Sequence, residues 1–511
     1  MKNFYGSMFL VFALALLGLS ACSDSSMPES SMSLDLNSLE RIDSLEPMDS
    51  SELIESLELL KQRSESRNPE GTTAPSFVVD PSWPQPLPNN WLIGQVGGLT
   101  VDSHDNIWIY HRGRSLEQSS AYALGIAGTD ENGMPVDALG NSRSLADQIA
   151  GCCTVAPSVL KFDSKGKLLD AWGGPQDSGF LENNCRKEDG CYWPGREHGI
   201  YVDHNDFVYI SGNGTNFTGQ FPWAATFGDD SHILKFTAEG EFIYQIGHAG
   251  MEGPNSENID GGPNGTPQPY LVADMMVDAD TNRMYIADGY GNKRVLIVDA
   301  ATGQYINHFG AYGQKPVDDP EGTDIDPYNA GPWAGDYQSG NLQPMFYRSP
   351  LHCTKISKDG LLYTCDRGNN RIQVFDLGLI EQQDCANPNA ETGTCGFVRD
   401  IAIAPYTASG TAVSVAFSSD EAQSCLYVGD LANGTFYIVN RENSTELDRI
   451  GRRGRQVGEF HWIHALAVDS LGNIYTGEVD TGPRVQKFAQ YGSKSCSGTG
   501  YTDIGAYDRN R

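Results

Sequence analysis

Asp366-Arg-Gly-Asn-Asn-Arg-Ile-Gln-Val-Phe375 is the stretch that decides the fold. A run of β-formers, Leu361-Leu-Tyr-Thr-Cys365, ends at Asp366. A Gly-Asn-Asn turn follows, and Ile372-Gln-Val-Phe375 starts a new strand. Upstream, His352-Cys-Thr-Lys-Ile-Ser357 gives one more strand before a Lys-Asp-Gly turn. The unit is therefore an apolar strand, a polar turn, a second strand, and a third strand ending in an aromatic or β-branched residue.

That unit returns six times. First strands close at Asp102, Asp203, Asp278, Ser357, Phe417 and Asp469, most of them after a Val. Second strands begin at Ile107, Phe207, Met284, Leu361, Leu426 and Asn473. Third strands are Val159–Phe162, Ile233–Phe236, Val295–Val298, Ile372–Phe375, Phe436–Val439 and Val485–Phe488. Helical periodicity is nearly absent. Short strands repeating at this spacing are blades packed face to face about an axis, with a central channel. A sandwich does not repeat in this way. The expected fold is all-β, a six-bladed β-propeller. The quoted stretch and Asp288-Gly-Tyr-Gly-Asn-Lys-Arg-Val295 resemble NHL repeats, and the resemblance extends over all six units.

The propeller is expected to span 76–511. Residues 1–22 read as an export signal: Lys2, an apolar run from Met8 to Leu19, then Leu19-Ser20-Ala21-Cys22. The segment resembles a bacterial lipoprotein signal peptide with its lipobox, which implies lipidation of Cys22. Ser23 after it implies the outer membrane of the cell envelope, with the body facing the periplasm or the exterior. Residues 23–75 are rich in Ser, Glu and Leu and poor in aromatics, so they read as a disordered tether.

A net charge of −31 at pH 7 argues against nucleic acid and against an acidic membrane surface, leaving the lipid anchor as the membrane contact. A small-molecule or peptide substrate is the expected partner, and a protein partner stays open. Eleven cysteines less Cys22 leave an even number, which favours disulfide bonds in an oxidising compartment. Cys185/Cys191, Cys353/Cys365 and Cys385/Cys395 are close enough in sequence to pair.

Three histidines carry the chemistry. His198, His352 and His464 stand at one register position, five residues before the end of the first-strand motif, on the second, fourth and sixth units. The other three units carry Gly97, Ala273 and Val413 there. Symmetric closure would set three imidazoles about 120° apart at one end of the channel. Three histidines with an open fourth position suit a catalytic metal, zinc above all. Channel-lining histidines held by hydrogen bonds are the plainer alternative.

Arg112 and Arg367 share another register position, on facing units, and Tyr290 ends the corresponding strand of the third unit. Two guanidiniums and a phenol would converge above the metal. Guanidiniums bind carboxylates, and nearby positive charge favours phenolate. The alternative pairs the arginines with neighbouring acids such as Asp366 and leaves Tyr290 to pack.

Together these six residues resemble the peptidyl-α-hydroxyglycine α-amidating lyase family, six-bladed propeller enzymes that split peptidyl-α-hydroxyglycine into an amide and glyoxylate. The resemblance implies zinc on His198, His352 and His464, with Tyr290 as base and Arg112 and Arg367 around it. It also implies a structural calcium. Here the residue after the last histidine, which supplies that ion's carboxylate in the family, is Ala465, which speaks against calcium. The carbonyls of Leu99 and Ile200 would stand where the family supplies the others. The cysteine after the family's tyrosine is Gly291.

The expected activity is a zinc-dependent carbon–nitrogen lyase acting on peptidyl-α-hydroxyglycine or a similar hemiaminal. The alternatives are a metal-dependent hydrolase and a non-enzymatic binding module on the cell envelope. Long insertions at 113–157, 174–197, 311–349 and 376–397 would overhang the channel mouth under any of the three.

Overall fold

Each of the six sequence units folds into a four-stranded antiparallel sheet in a computed structural model of the chain. The structure describes residues 69–116, 128–129, 135–136, 153–174, 185–215, 229–251, 253–318, 346–382, 385, 395–407, 410–480 and 482–506. The export signal, Cys22 and most of the tether lie outside the described residues. The chain divides into two units, Met1–Arg63 and Ser64–Arg511, and all that follows concerns the second. Among the described residues no helix is long and apolar enough to cross a membrane.

Blade 1 runs Gln95–Val101, Ile107–Arg112, Val159–Phe162 and Leu168–Trp172 from the axis outward. Blades 2 to 5 begin at the axis with Glu197–Val202, Asp274–Val277, Leu351–Ile356 and Ala412–Phe417. Blade 6 runs Ile463–Val468, Ile474–Glu478 and Arg484–Tyr491, and its outermost strand is Ser76–Val79 from the other end of the propeller. Contacts of the ring reach back to Thr73, which exchanges two backbone hydrogen bonds with Ser497, and to buried Ala74.

The Val-Asp motif has a local cause. Asp102 accepts the backbone N–H groups of His104 and Asn106 and the indole N–H of Trp108. Asp203 and Asp469 repeat this with the hydroxyls of Tyr209 and Tyr475. Each carboxylate closes the turn and holds the polar tip of a buried aromatic from the next strand.

The second hairpin is held differently. Asp288 pairs with Arg294 at 2.9 Å and Asp366 with Arg371 at 2.7 Å, all four side chains fully buried. Glu478 and Arg484 take the same places in blade 6. Buried charges of this kind persist only when paired, so removing one partner alone costs about 3–5 kcal/mol.

Apolar side chains fill the spaces between blades. Val96, Leu99 and Ile107 of blade 1 meet Ala465, Tyr475 and Val485 of blade 6. Phe436, Phe460 and Phe488 join blades 5 and 6, with Phe77 and Val79 of the closing strand against them. The described residues contain the disulfides Cys185–Cys191, Cys353–Cys365 and Cys385–Cys395, as the spacings suggested. They also contain Cys425–Cys496, a long-range pair that spacing could not single out.

Candidate metal centre

A β-bulge builds the site. In the innermost strands of blades 1, 2, 4, 5 and 6 the register slips by one residue at the axial end, between Val96 and Gly98, Glu197 and Ile200, Leu351 and Cys353, Ala412 and Ser414, and Ile463 and Ala465. The slipped positions hold Gly97, His198, His352, Val413 and His464. A bulged residue is left out of the ladder, which re-aims its side chain and frees its carbonyl.

Both consequences are used, in alternation. His198 Nδ1 donates to the carbonyl of Ala273 at 2.7 Å, His352 Nδ1 to Val413 at 2.7 Å, and His464 Nδ1 to Gly97 at 2.9 Å. Each histidine is thus anchored on the same register position of the next blade. A carbonyl can only accept, so each Nδ1 carries the proton and each Nε2 presents a lone pair to the axis.

The three rings form a nearly equilateral triangle, with centroids 4.7, 4.8 and 4.9 Å apart. Their ligand nitrogens all lie within 4.8 Å of one another, and among the described residues they are the one such cluster. His352 Nε2 and His464 Nε2 are 3.2 Å apart. Tetrahedral zinc with Zn–N of about 2.0–2.1 Å spaces its nitrogens by about 3.3 Å. Burial holds all three imidazoles well below their ordinary pKa; the charge of Arg112 pushes all three the same way, and that of Arg367 pushes His352 and His464. Neutral, Nδ1-anchored imidazoles with converging Nε2 lone pairs fit a divalent metal.

Tyr290 and Arg367 complete the rim. The Tyr290 hydroxyl lies 3.1 Å from His198 Nε2, to which it donates, and accepts from Arg367 Nη1 at 3.2 Å. Arg367 also stands over the phenol ring, 5.7 Å from its centroid. Asp366 is occupied by Arg371 and Asn369, so the nearest acid does not take Arg367. The Arg367 Nε is buried without a hydrogen-bond partner.

Arg112 is buried and points differently. Its Nε donates to the Glu197 carbonyl at 2.7 Å and its Nη1 to Gln95 Oε1 at 2.9 Å. These bonds tie blade 1 to the residue before His198. The structure thus brings Tyr290 and Arg367 into direct contact, while Arg112 bears on the histidines through its charge.

Leu99 and Ile200 line a channel cavity of about 30 Å³ that the three histidines also border. Ala465, the residue after His464, also borders it, with a side chain that offers no oxygen. At Gly291 a Cβ would fall 2.0 Å from the Tyr270 ring, so the absent cysteine leaves a position with no room for a side chain.

Sequence reasoning missed Gln95 and the carbonyls of Gly97, Ala273 and Val413. The last three already shared the histidines' register, and that was the available signal.

Fold and site together define a six-bladed β-propeller with an NHL repeat in its fourth blade and three histidines that converge in its channel. The NHL repeat model matches residues 351–375, the blade 4 unit that contains His352 and Arg367. The chain is weakly similar to peptidyl-glycine alpha-amidating monooxygenase B of Xenopus laevis, with 23% identity over 409 residues, 78% of this chain and 34% of that protein. For monooxygenase A of the same organism the figures are 22% identity, 78% and 32%. The chain spans about a third of the length of these curated relatives.

Among solved structures, the Myceliophteria thermophila Cps50 (Swd1) beta-propeller domain matches at 8% identity and a TM-score of 0.39, covering 79% of this chain and 98% of that one. A streptogramin B lyase matches at 12% identity and a TM-score of 0.38, covering 81% and 98%.

Proposed function

We propose that this chain is a zinc-dependent carbon–nitrogen lyase that acts on an N,O-hemiaminal such as a peptidyl-α-hydroxyglycine, releasing an amide and glyoxylate. The observation that carries the reading is the meeting of the histidine triangle with the Arg367–Tyr290 pair. His198, His352 and His464 would hold the ion. When bound, zinc supplies Lewis-acid polarisation of an oxygen.

Tyr290 is the base in this reading, because its oxygen lies at the triangle and accepts from a guanidinium. It removes the proton of the substrate hydroxyl. The electron pair of that O–H becomes the second bond of a new carbonyl, the C–N bond breaks, and the departing amide nitrogen takes up the proton that Tyr290 removed. Atoms and charge balance without an oxidant. Arg367 stabilises Tyr290 as the phenolate that accepts this proton, and its guanidinium is the group that would meet the substrate carboxylate. Arg112 holds the strand end that carries His198 and adds positive charge at the mouth.

The disulfides support an oxidising compartment, in keeping with an exported protein. Similarity to the amidating monooxygenases supports the substrate class. The test is glyoxylate release from a hydroxyglycine-capped peptide by the zinc-loaded body. Absence of release, with zinc present, would exclude this substrate.

A further inference from the structure

The channel beside the histidines holds an ion pair that the proposed reaction does not use. Lys355 Nζ donates to Asp274 Oδ2 at 2.6 Å, and both side chains are largely buried. Lys355 lies three residues after His352 on the innermost strand of blade 4. Asp274 follows Ala273, the carbonyl partner of His198, on blade 3. Both border the cavity shared by Leu99 and Ile200.

A calcium ion needs six to eight oxygens. The carboxylate that borders this cavity is Asp274, and the Lys355 ammonium already sits on it. The position after His464 offers a methyl group. A divalent cation here would have to displace the ammonium or share the cavity with it, against direct charge repulsion. The residues do not fit calcium.

We propose that Lys355 is a tethered cation that replaces a divalent ion in the channel, and that its removal unmasks a cation site built on Asp274. The ammonium neutralises Asp274 and joins blades 3 and 4 near the axis. The wild-type ring is then indifferent to calcium.

The experiment measures the melting temperature and calcium binding of the zinc-loaded protein, with zinc content followed alongside. Wild type is expected to bind no calcium saturably and to melt at the same temperature with or without millimolar CaCl2. Lys355→Met is expected to melt lower without calcium and to recover on binding one ion per chain. Adding Asp274→Asn should abolish that binding. Calcium-dependent melting of the wild type, lost in Asp274→Asn, would overturn the proposal, as would a Lys355→Met protein that folds and ignores calcium. If Lys355→Met fails to fold, the wild-type titration still decides. Neither result bears on the zinc at the histidines, so the two readings fail separately.

Discussion

His352 Nε2 and His464 Nε2 face each other across 3.2 Å in a buried site, and neither carries a proton. The far nitrogen of each ring has spent its proton on a carbonyl of the neighbouring blade. Two lone pairs held so close repel, and a cation between them converts that repulsion into attraction.

Zinc should therefore copurify with the body at near one ion per chain. His352→Ala and His464→Ala should each lose it. Chelation should lower the melting temperature of wild type and leave these variants unmoved. A ligand at 100 times its dissociation constant stabilises by about 2.7 kcal/mol, which a thermal scan resolves. Elemental analysis finding no metal in wild type defeats the metal reading.

Replacing the proposed base should separate chemistry from metal binding. Tyr290→Phe keeps the ring and removes the oxygen that bridges His198 and Arg367. Turnover on a hydroxyglycine-capped peptide should fall by about 10²–10⁴-fold, with zinc content unchanged. Undiminished turnover would remove Tyr290 from the mechanism.

Arg367→Met takes away both the donor to Tyr290 and the unpartnered buried Nε. The expected loss is about 10²–10³-fold in kcat, together with a raised KM for substrates bearing a carboxylate. Steady-state kinetics on a substrate with that carboxylate amidated should show the KM effect vanish. An equal KM effect on both substrates contradicts the carboxylate contact.

Gly97 tests the anchoring of the histidines. A Cβ there would meet the Glu197 carbonyl oxygen at 2.4 Å, so Gly97→Ala must push blades 1 and 2 apart. The carbonyl that orients His464 moves with them. Destabilisation of about 1–3 kcal/mol and zinc affinity weakened by about 10–100-fold are expected. Competition with a zinc-binding dye measures the second. Unchanged affinity would mean that the Gly97 carbonyl does not position His464.

Two buried histidines away from the axis each contribute stability that acid removes. His111 accepts from the Gly94 N–H and donates to the Pro157 carbonyl, and burial pushes its pKa down to about 4. His232, donating to the Tyr192 carbonyl, is likewise lowered to about 4 by burial. Unfolded histidine titrates near 6.5, so between about pH 6.5 and 4 the unfolded chain binds more protons than the folded one. The contribution of each histidine is full above that window and falls as the pH drops through it, by about 1.4 kcal/mol per pH unit. Going from pH 7 to pH 5 should cost about 2 kcal/mol per site. Denaturant titrations of His111→Gln should show a slope shallower by one proton, and an identical slope would mean that His111 is not the titrating group.

Much of this ring can be read without coordinates, because each blade repeats the same local solution. The Val-Asp pairs announce turns in which the carboxylate takes two backbone N–H groups. Short β-branched and aromatic runs announce strands. The outer strands, such as Leu168–Trp172 and Phe242–Ile246, carry exposed and half-buried residues on one face. Their apolar alternation is weaker, although the Asp163–Gly166 and Thr237–Gly240 turns before them are plain. The shared register of His198, His352 and His464 was visible in the sequence, whereas the bulge was not, since an extra residue leaves no mark of its own. The Lys355–Asp274 pair joins residues 81 positions apart on neighbouring blades, and no local pattern reports it.

The strand Ser76–Val79 belongs to a blade whose other members are made last. As the chain is synthesised, this strand emerges before the rest of its blade and must wait for Arg484–Tyr491 before it has a partner. His464 is also among the late arrivals. The triangle therefore cannot exist on a nascent chain, and a metal can be captured only after the whole body has been delivered. An ion bound at the triangle would then be drawn from the compartment in which the ring closes.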